Sequence, residues 1–187
     1  AYSLGARLGE RLQHEVPDLP LQALLDGLAQ AYRGENLRLD AARIDALLAA
    51  HEAQLDQRGN VEAEKSERQF LQAEHAKPNT RALPDGVLVR ELRKANGPLP
   101  SANGQVQVTY RGWLADGSLF DESQTPLWFR LDSVIAGWRS ALQQMPVGAR
   151  WQLVIPSAQA YGAEGAGDLI APYAPLVFEL ELLNTRD

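Results

Sequence analysis

The stretch "SVIAGWRSALQQMPVG", residues 133–148, decides the fold of this chain. Read as a helix, it sets Trp138, Ala141, Leu142 and Met145 at i, i+3, i+4 and i+7, a single apolar face. The segments around it have a period of two instead. In "GQVQVTYRGWL" (104–114), Val106, Val108, Tyr110 and Gly112 share one face, and Gln107, Thr109 and Arg111 share the other. "RWQLVIP" (150–156) aligns Trp151, Leu153 and Ile155, and "PLVFELELLN" (175–184) sets Leu176, Phe178, Leu180 and Leu182 against Glu179 and Glu181. "GVLVREL" (86–92) is a further short strand, and "DGSLFDE" (116–122) follows a strand with an Asp-Gly turn. Strands with one polar face form an antiparallel sheet covered on one side. The 133–148 helix is the regular element available to cover it. The fold expected is α+β, a curved antiparallel sheet wrapped on one short helix. One residue fits poorly: Trp138 lies in the first helical turn, at the edge of such a core, with Val134 and Ile135 just before it.

The first part of the chain is helical throughout. Leu4, Leu8 and Leu12 recur every four residues until "VPDLP" breaks the run. Leu21, Leu24, Leu25, Leu28 and Tyr32 trace a second stripe that Gly34 closes. Asp40 is placed to cap a third helix with Ile44, Leu47, Leu48 and Leu55 as its buried face. From 56 to 69, "DQRGNVEAEKSERQ" carries no apolar stripe, as expected of a helix that crosses solvent between domains. Gly59-Asn60 is its weak point, and "AKPNTRALPDG" (76–86) ends it. The expected organisation is a helical module over 1–39, a long connecting helix over 40–78 and the sheet domain over 79–187. Short helices with apolar stripes leave surface that a small unit cannot cover alone, so the N-terminal module is expected to dimerise. Gly5 and Gly9, four apart, permit close helix approach.

Composition narrows the chemistry. A net charge of −6 over 187 residues argues against nucleic acid or an anionic membrane surface as the main partner. No apolar run approaches a membrane span, and no positive-then-apolar leader precedes the first helix. Without cysteine there is no disulfide framework and no thiolate nucleophile. His14, His51 and His75 have no ligand spacing, so neither a metal site nor a cofactor is expected. The sheet half holds no histidine, and the chain has no Walker loop and no dinucleotide fingerprint. What the second half has instead is aromatic and aliphatic mass at element ends: Tyr110, Phe120, Phe129, Val134, Ile135, Trp138, Tyr161, Ile170 and Phe178. The polar groups among them are two tyrosine hydroxyls and Asp121. An apolar concavity with a few convergent polar groups is the usual form of a small-ligand site.

"VTYRGWLADGSLFD", "VIAGWRSALQQMPVGARWQLVIP", "AYGAEG" and "APLVFELELL" together resemble the FK506-binding-protein-type peptidyl-prolyl cis-trans isomerases, from about Leu83 to Asn184 in the family's own order. "AYSLGARLGERL" resembles the helical dimerisation domain of the family's Mip-like bacterial members. The resemblance implies a homodimer through the N-terminal helices, V-shaped, with a long helix joining each catalytic domain to the dimer module. It implies a folding catalyst and chaperone of the periplasm or outer membrane, with a cytoplasmic location as the alternative. Clients would be proline-containing unfolded or partly folded polypeptides, and macrolides of the FK506 type are the implied inhibitors. By resemblance, Trp138 floors the pocket under a proline ring, Val134 and Ile135 form a wall, and the Ile135 N–H binds a carbonyl. Tyr110, Leu127, Phe120, Phe129 and Phe178 line the rest. The Tyr161 hydroxyl bonds a ligand carbonyl, Asp121 lies beside the reacting bond, and Leu169 and Ile170 form a flap.

The sequence departs from the family at the pocket's border. Only "ESQT" separates Asp121 from Pro126, and the basic partner expected to orient Asp121 is missing from it. Pro156 is followed by Ser157 where a second proline is usual, Ala171 replaces a common proline, and Ala166 stands where an aromatic or histidine is found. These departures keep open an alternative reading, a proline-segment binding module or holdase with little turnover.

Overall fold

The computed structural model describes residues 1–187 as two compact units, Ala1–Gln54 and Leu55–Asp187. The first unit contains α1 (Tyr2–Glu15), α2 (Leu21–Tyr32) and the start of α3 (Ala41–His75). Gly34 closes α2 at φ 67, a conformation that glycine adopts without a Cβ penalty. Asp40 caps α3 by accepting the Arg43 N–H at 2.7 Å. No residue of this unit is buried. Leu47, Leu48 and Leu55, expected to be buried, are exposed, and Ile44 is half-buried.

α3 runs unbroken through Gly59 and Asn60. Residues 56–69 are exposed apart from half-buried Asn60, Ala63 and Glu67, and the last turns of α3 pack within the second unit. Glu67 and Phe70 are half-buried, and Glu74 is buried between Lys77 (2.5 Å) and Arg90 (3.5 Å). Two of those three contact residues are carboxylates, so a hydropathy stripe does not reveal the face. No helix is long and apolar enough to cross a membrane.

The second unit is built on seven antiparallel strands: β1 (Thr80–Ala82), β2 (Leu88–Arg93), β3 (Gln105–Leu114), β4 (Leu119–Glu122), β5 (Leu127–Arg130), β6 (Arg150–Ile155) and β7 (Leu176–Arg186). Their order is β1-β2-β6-β7-β3-β4, and β5 also pairs with β3. β3 is the organising strand. One edge pairs with β7 along its whole length, while the other serves β5 near Gln105–Val108 and β4 near Arg111–Trp113. β1 and β5 are additions to the strands legible in the sequence; each is too short to show a period.

α4 (Ala136–Leu142) covers the sheet with Trp138, Ala141 and Leu142. It is shorter than the apolar spacing of 133–148 suggests. Met145 reaches the core from the turn that follows, before Gly148 reverses the chain at φ 93. Helix and sheet are in close contact at Gly137, where a Cβ would lie 2.4 Å from Ile155 Cγ2.

Candidate functional site

The inward phase of β3 passes from Val106 and Val108, fully buried, to Tyr110, half-buried, and then to Gly112. Gly112 has no side chain for a steric reason. A Cβ there would lie 2.7 Å from a Phe178 ring carbon and 2.8 Å from one of Phe120. Its absence lets Phe120 on β4 and Phe178 on β7 meet edge to face, centroids 5.6 Å apart. Trp138 fills the middle of the group. Its ring makes edge-to-face contacts with Tyr110 (5.0 Å), Phe178 (5.2 Å) and Phe129 (5.8 Å). Such pairs are each worth about 0.5–1.5 kcal/mol beyond the area they bury. The puzzle of an indole in the first turn of a helix is thereby resolved: only there does α4 bring it among rings from three strands. Its Nε1 is buried and has no hydrogen-bond partner.

Asp121 is exposed on β4, directly across from Gly112, and accepts a hydrogen bond from the Tyr110 hydroxyl at 2.8 Å. That bond gives Asp121 an orienting partner from outside the 122–125 segment. The partner is a neutral phenol from the neighbouring strand, and the nearby Arg111 guanidinium pairs with Glu122 at 3.3 Å instead. Burial pushes the Tyr110 hydroxyl up to about 12, and the hydrogen bond and negative charge of Asp121 add to the shift. The phenol therefore stays protonated, a fixed donor to the carboxylate, well above neutral pH.

The remaining residues singled out in the sequence fall into two sets. Val134 and Ile135 are half-buried and pack on the same core. Ile135 forms the N-cap of α4 at φ −56 and ψ 151, and its N–H donates to no backbone acceptor. Tyr161 is 42% exposed on the loop that follows the 3-10 turn Ser157–Gln159. Leu127 is exposed on β5, in register with Val108. Ile170 is buried in the core, whereas Leu169 is exposed and lines a groove with Phe70 of α3 and Leu114. Asp116, in the turn before β4, caps that turn by accepting from the Ser118 N–H and hydroxyl. Sequence reasoning named Ser157 only as a departure from the family and missed its partner, Glu67, which accepts from the Ser157 N–H and hydroxyl. The visible signal was the serine after Pro156, which has an N–H and a hydroxyl where a proline has neither.

The arrangement offers a partly open aromatic floor, one carboxylate held at its rim, one tyrosine hydroxyl beside it, and no nucleophile. It suits binding and reshaping an apolar, amide-containing ligand without making bonds.

Residues 97–183 match the family model described as FKBP-type peptidyl-prolyl cis-trans isomerase, and residues 1–89 match the domain amino terminal to FKBP-type peptidyl-prolyl isomerase. A Pseudomonas aeruginosa protein named as a probable FKBP-type 25 kDa peptidyl-prolyl cis-trans isomerase is 56% identical over 100% of this chain and 81% of its own length. A Legionella longbeachae protein named outer membrane protein MIP is 30% identical, over 100% of this chain and 84% of its own. The crystal structure of FkpA from Escherichia coli matches with a TM-score of 0.71 at 29% identity, covering 99% of this chain and 94% of that one.

Proposed function

The chain belongs to the FKBP-type peptidyl-prolyl cis-trans isomerases, Mip-like subfamily, and we propose that it catalyses X–Pro rotation over the Trp138 floor, as a homodimeric folding catalyst and chaperone of the bacterial cell envelope. The observation that carries the site assignment is the Tyr110–Asp121 hydrogen bond beside the ring cluster around Trp138. It fixes a carboxylate at the edge of an otherwise apolar surface.

The reaction needs no covalent step. Resonance gives an X–Pro bond a rotational barrier of about 18–20 kcal/mol, and the conjugated form is dipolar. Water stabilises that dipole. A proline ring laid on Trp138, among Tyr110, Phe129 and Phe178, takes the imide out of water and favours the twisted, less conjugated state. The Ile135 N–H and the Tyr161 hydroxyl hold flanking carbonyls, so the chain is bound in a turn-like shape and rotation is confined to one bond. Asp121 lies beside the rotating bond, where its charge opposes the electron-rich carbonyl of the planar ground state. Lowering the barrier by about 4 kcal/mol gives roughly a thousandfold acceleration.

Clients on this reading are proline-containing unfolded or partly folded polypeptides. Homodimerisation is supported by the exposed leucine stripes of the first unit, and an envelope location by the outer membrane protein named among the relatives.

The test is the cis-to-trans rate of a short X–Pro peptide, read by exchange NMR, for the parent and Asp121→Leu. Asp121 is exposed, so the variant is expected to keep the parent's fold while losing about tenfold or more in kcat/KM. A variant as active as the parent removes Asp121 from the mechanism.

A further inference from the structure

Tyr161 lies on an irregular loop, yet hydrogen bonds hold that loop from α3. Glu67 accepts two hydrogen bonds from one residue: the Ser157 N–H donates to Oε1 at 2.5 Å and the Ser157 hydroxyl to Oε2 at 2.9 Å. Ser157 is buried and opens the short 3-10 turn Ser157–Gln159. Its carbonyl oxygen accepts from the N–H groups of both Ala160 (2.9 Å) and Gly162 (2.8 Å), the two neighbours of Tyr161. Gly162 stands at φ 61, and its carbonyl accepts the Tyr173 N–H at 2.9 Å. The backbone on either side of Tyr161 is therefore bonded to Ser157, and both Ser157 donors are bonded to Glu67.

The chemistry at this junction is specific. A carboxylate accepting two donors in a half-buried setting makes charge-assisted bonds, about twice as strong as neutral ones. The ion pairs on this stretch of α3 engage Glu74, not Glu67, so Ser157 is what satisfies the Glu67 charge. Serine supplies an N–H and a hydroxyl one residue after Pro156. A proline there would supply neither, and the carboxylate would lose both of its hydrogen bonds from residue 157.

We propose that Glu67 is a positioning residue for isomerisation: by clamping Ser157, it sets the 157–162 turn and so the placement of the Tyr161 hydroxyl at the pocket. This rests on the reading of Tyr161 as part of the substrate site. α3 is then part of the catalytic unit.

The experiment is a double-mutant cycle on the full chain, with peptide isomerisation rates for the parent, Glu67→Ala, Tyr161→Phe and the double variant. Glu67→Ala is expected to lower kcat/KM about fivefold in the parent and to have no effect in the Tyr161→Phe background, because its action passes through that hydroxyl. Ser157→Ala, which keeps the N–H and deletes only the hydroxyl, asks the same question with less disturbance of the fold. It is expected to give a smaller loss that likewise vanishes without the Tyr161 hydroxyl. Parental rates for both Glu67→Ala and Ser157→Ala overturn the proposal, and so does an equal loss in both backgrounds, which is the mark of a merely structural role. If Tyr161→Phe itself keeps the parental rate, the site reading has failed and the proposal with it. A Tyr161→Phe loss without coupling sinks the positioning role alone.

Discussion

At the scale of single residues, the Tyr110–Asp121 pair links stability to site geometry through a proton. The Tyr110 hydroxyl ionises at about 12 in the folded protein against an ordinary value of 10.0, with burial as the main cause and Asp121 adding to it. The folded state thus favours the neutral phenol. Its contribution to stability is complete below pH 10, where both folded and unfolded chains keep the proton. It falls as pH rises from 10 toward 12, where the unfolded chain ionises first. Tyr110→Phe removes this component, so melting temperature is expected to decline less steeply between pH 10 and 12 than in the parent. A spectrophotometric titration should lose one late tyrosine. Equal slopes for both proteins would mean that the hydroxyl is not linked to folding. The residues of this pair were legible in the sequence, but the bond was not. Their partnership depends on which residues β3 and β4 set across from each other, and a bulge shifts that register between Gly112 and Trp113.

At the scale of elements, what was legible depended on length and on contrast between faces. β3, β6 and β7 each alternate over enough residues to declare both strand and inner face. β1 and β5, of three and four residues, have no room for a period. α3 was legible as a helix from its residue types, whereas the packing of its residues 55–75 within the second unit was not, since carboxylates at Glu67 and Glu74 make two of the contacts. α4 presents the converse case, in which local preference and packing disagree at Gly137. In an exposed helix, Gly→Ala gains about 1 kcal/mol from propensity. Here the new Cβ would lie 2.4 Å from the Cγ2 methyl of Ile155, a fully buried, β-branched side chain. Overpacking costs about 1–3 kcal/mol, so packing wins. Gly137→Ala is expected to destabilise the chain by up to about 2 kcal/mol in urea unfolding. It is also expected to lower isomerisation, because Trp138 is the next residue. A stabilised variant would show that α4 can move away from β6 freely.

At the scale of the whole molecule, the two units differ in how they pack. Leu55–Asp187 has a closed core of fully buried side chains, while Ala1–Gln54 buries none. Leu21, Leu25 and Leu28 lie on one face of α2, with Leu25 46% and Leu28 54% exposed. Removing a leucine side chain from water is worth about 1.5–3 kcal/mol, so a shared interface offers this module more stability than any arrangement of one copy shown by its own helices. If two copies of the chain cover these stripes, charge placed on them must separate the copies. Leu25→Glu together with Leu28→Glu puts carboxylates where apolar surfaces would meet, and burying them unpaired is costly. The parent is expected to sediment as a dimer at micromolar concentration and the double variant as a monomer. Neither residue lies near the aromatic cluster in sequence or within its unit, so short-peptide isomerisation is expected to be the same for both proteins. Refolding of a proline-limited client is expected to slow in the monomer, because a client held by two copies benefits from a raised effective concentration of sites. A parent that sediments as a monomer removes the homodimer. A monomeric variant that refolds the client as well as the parent does would leave the dimer without a part in client capture, and catalysis would then belong to Leu55–Asp187 alone.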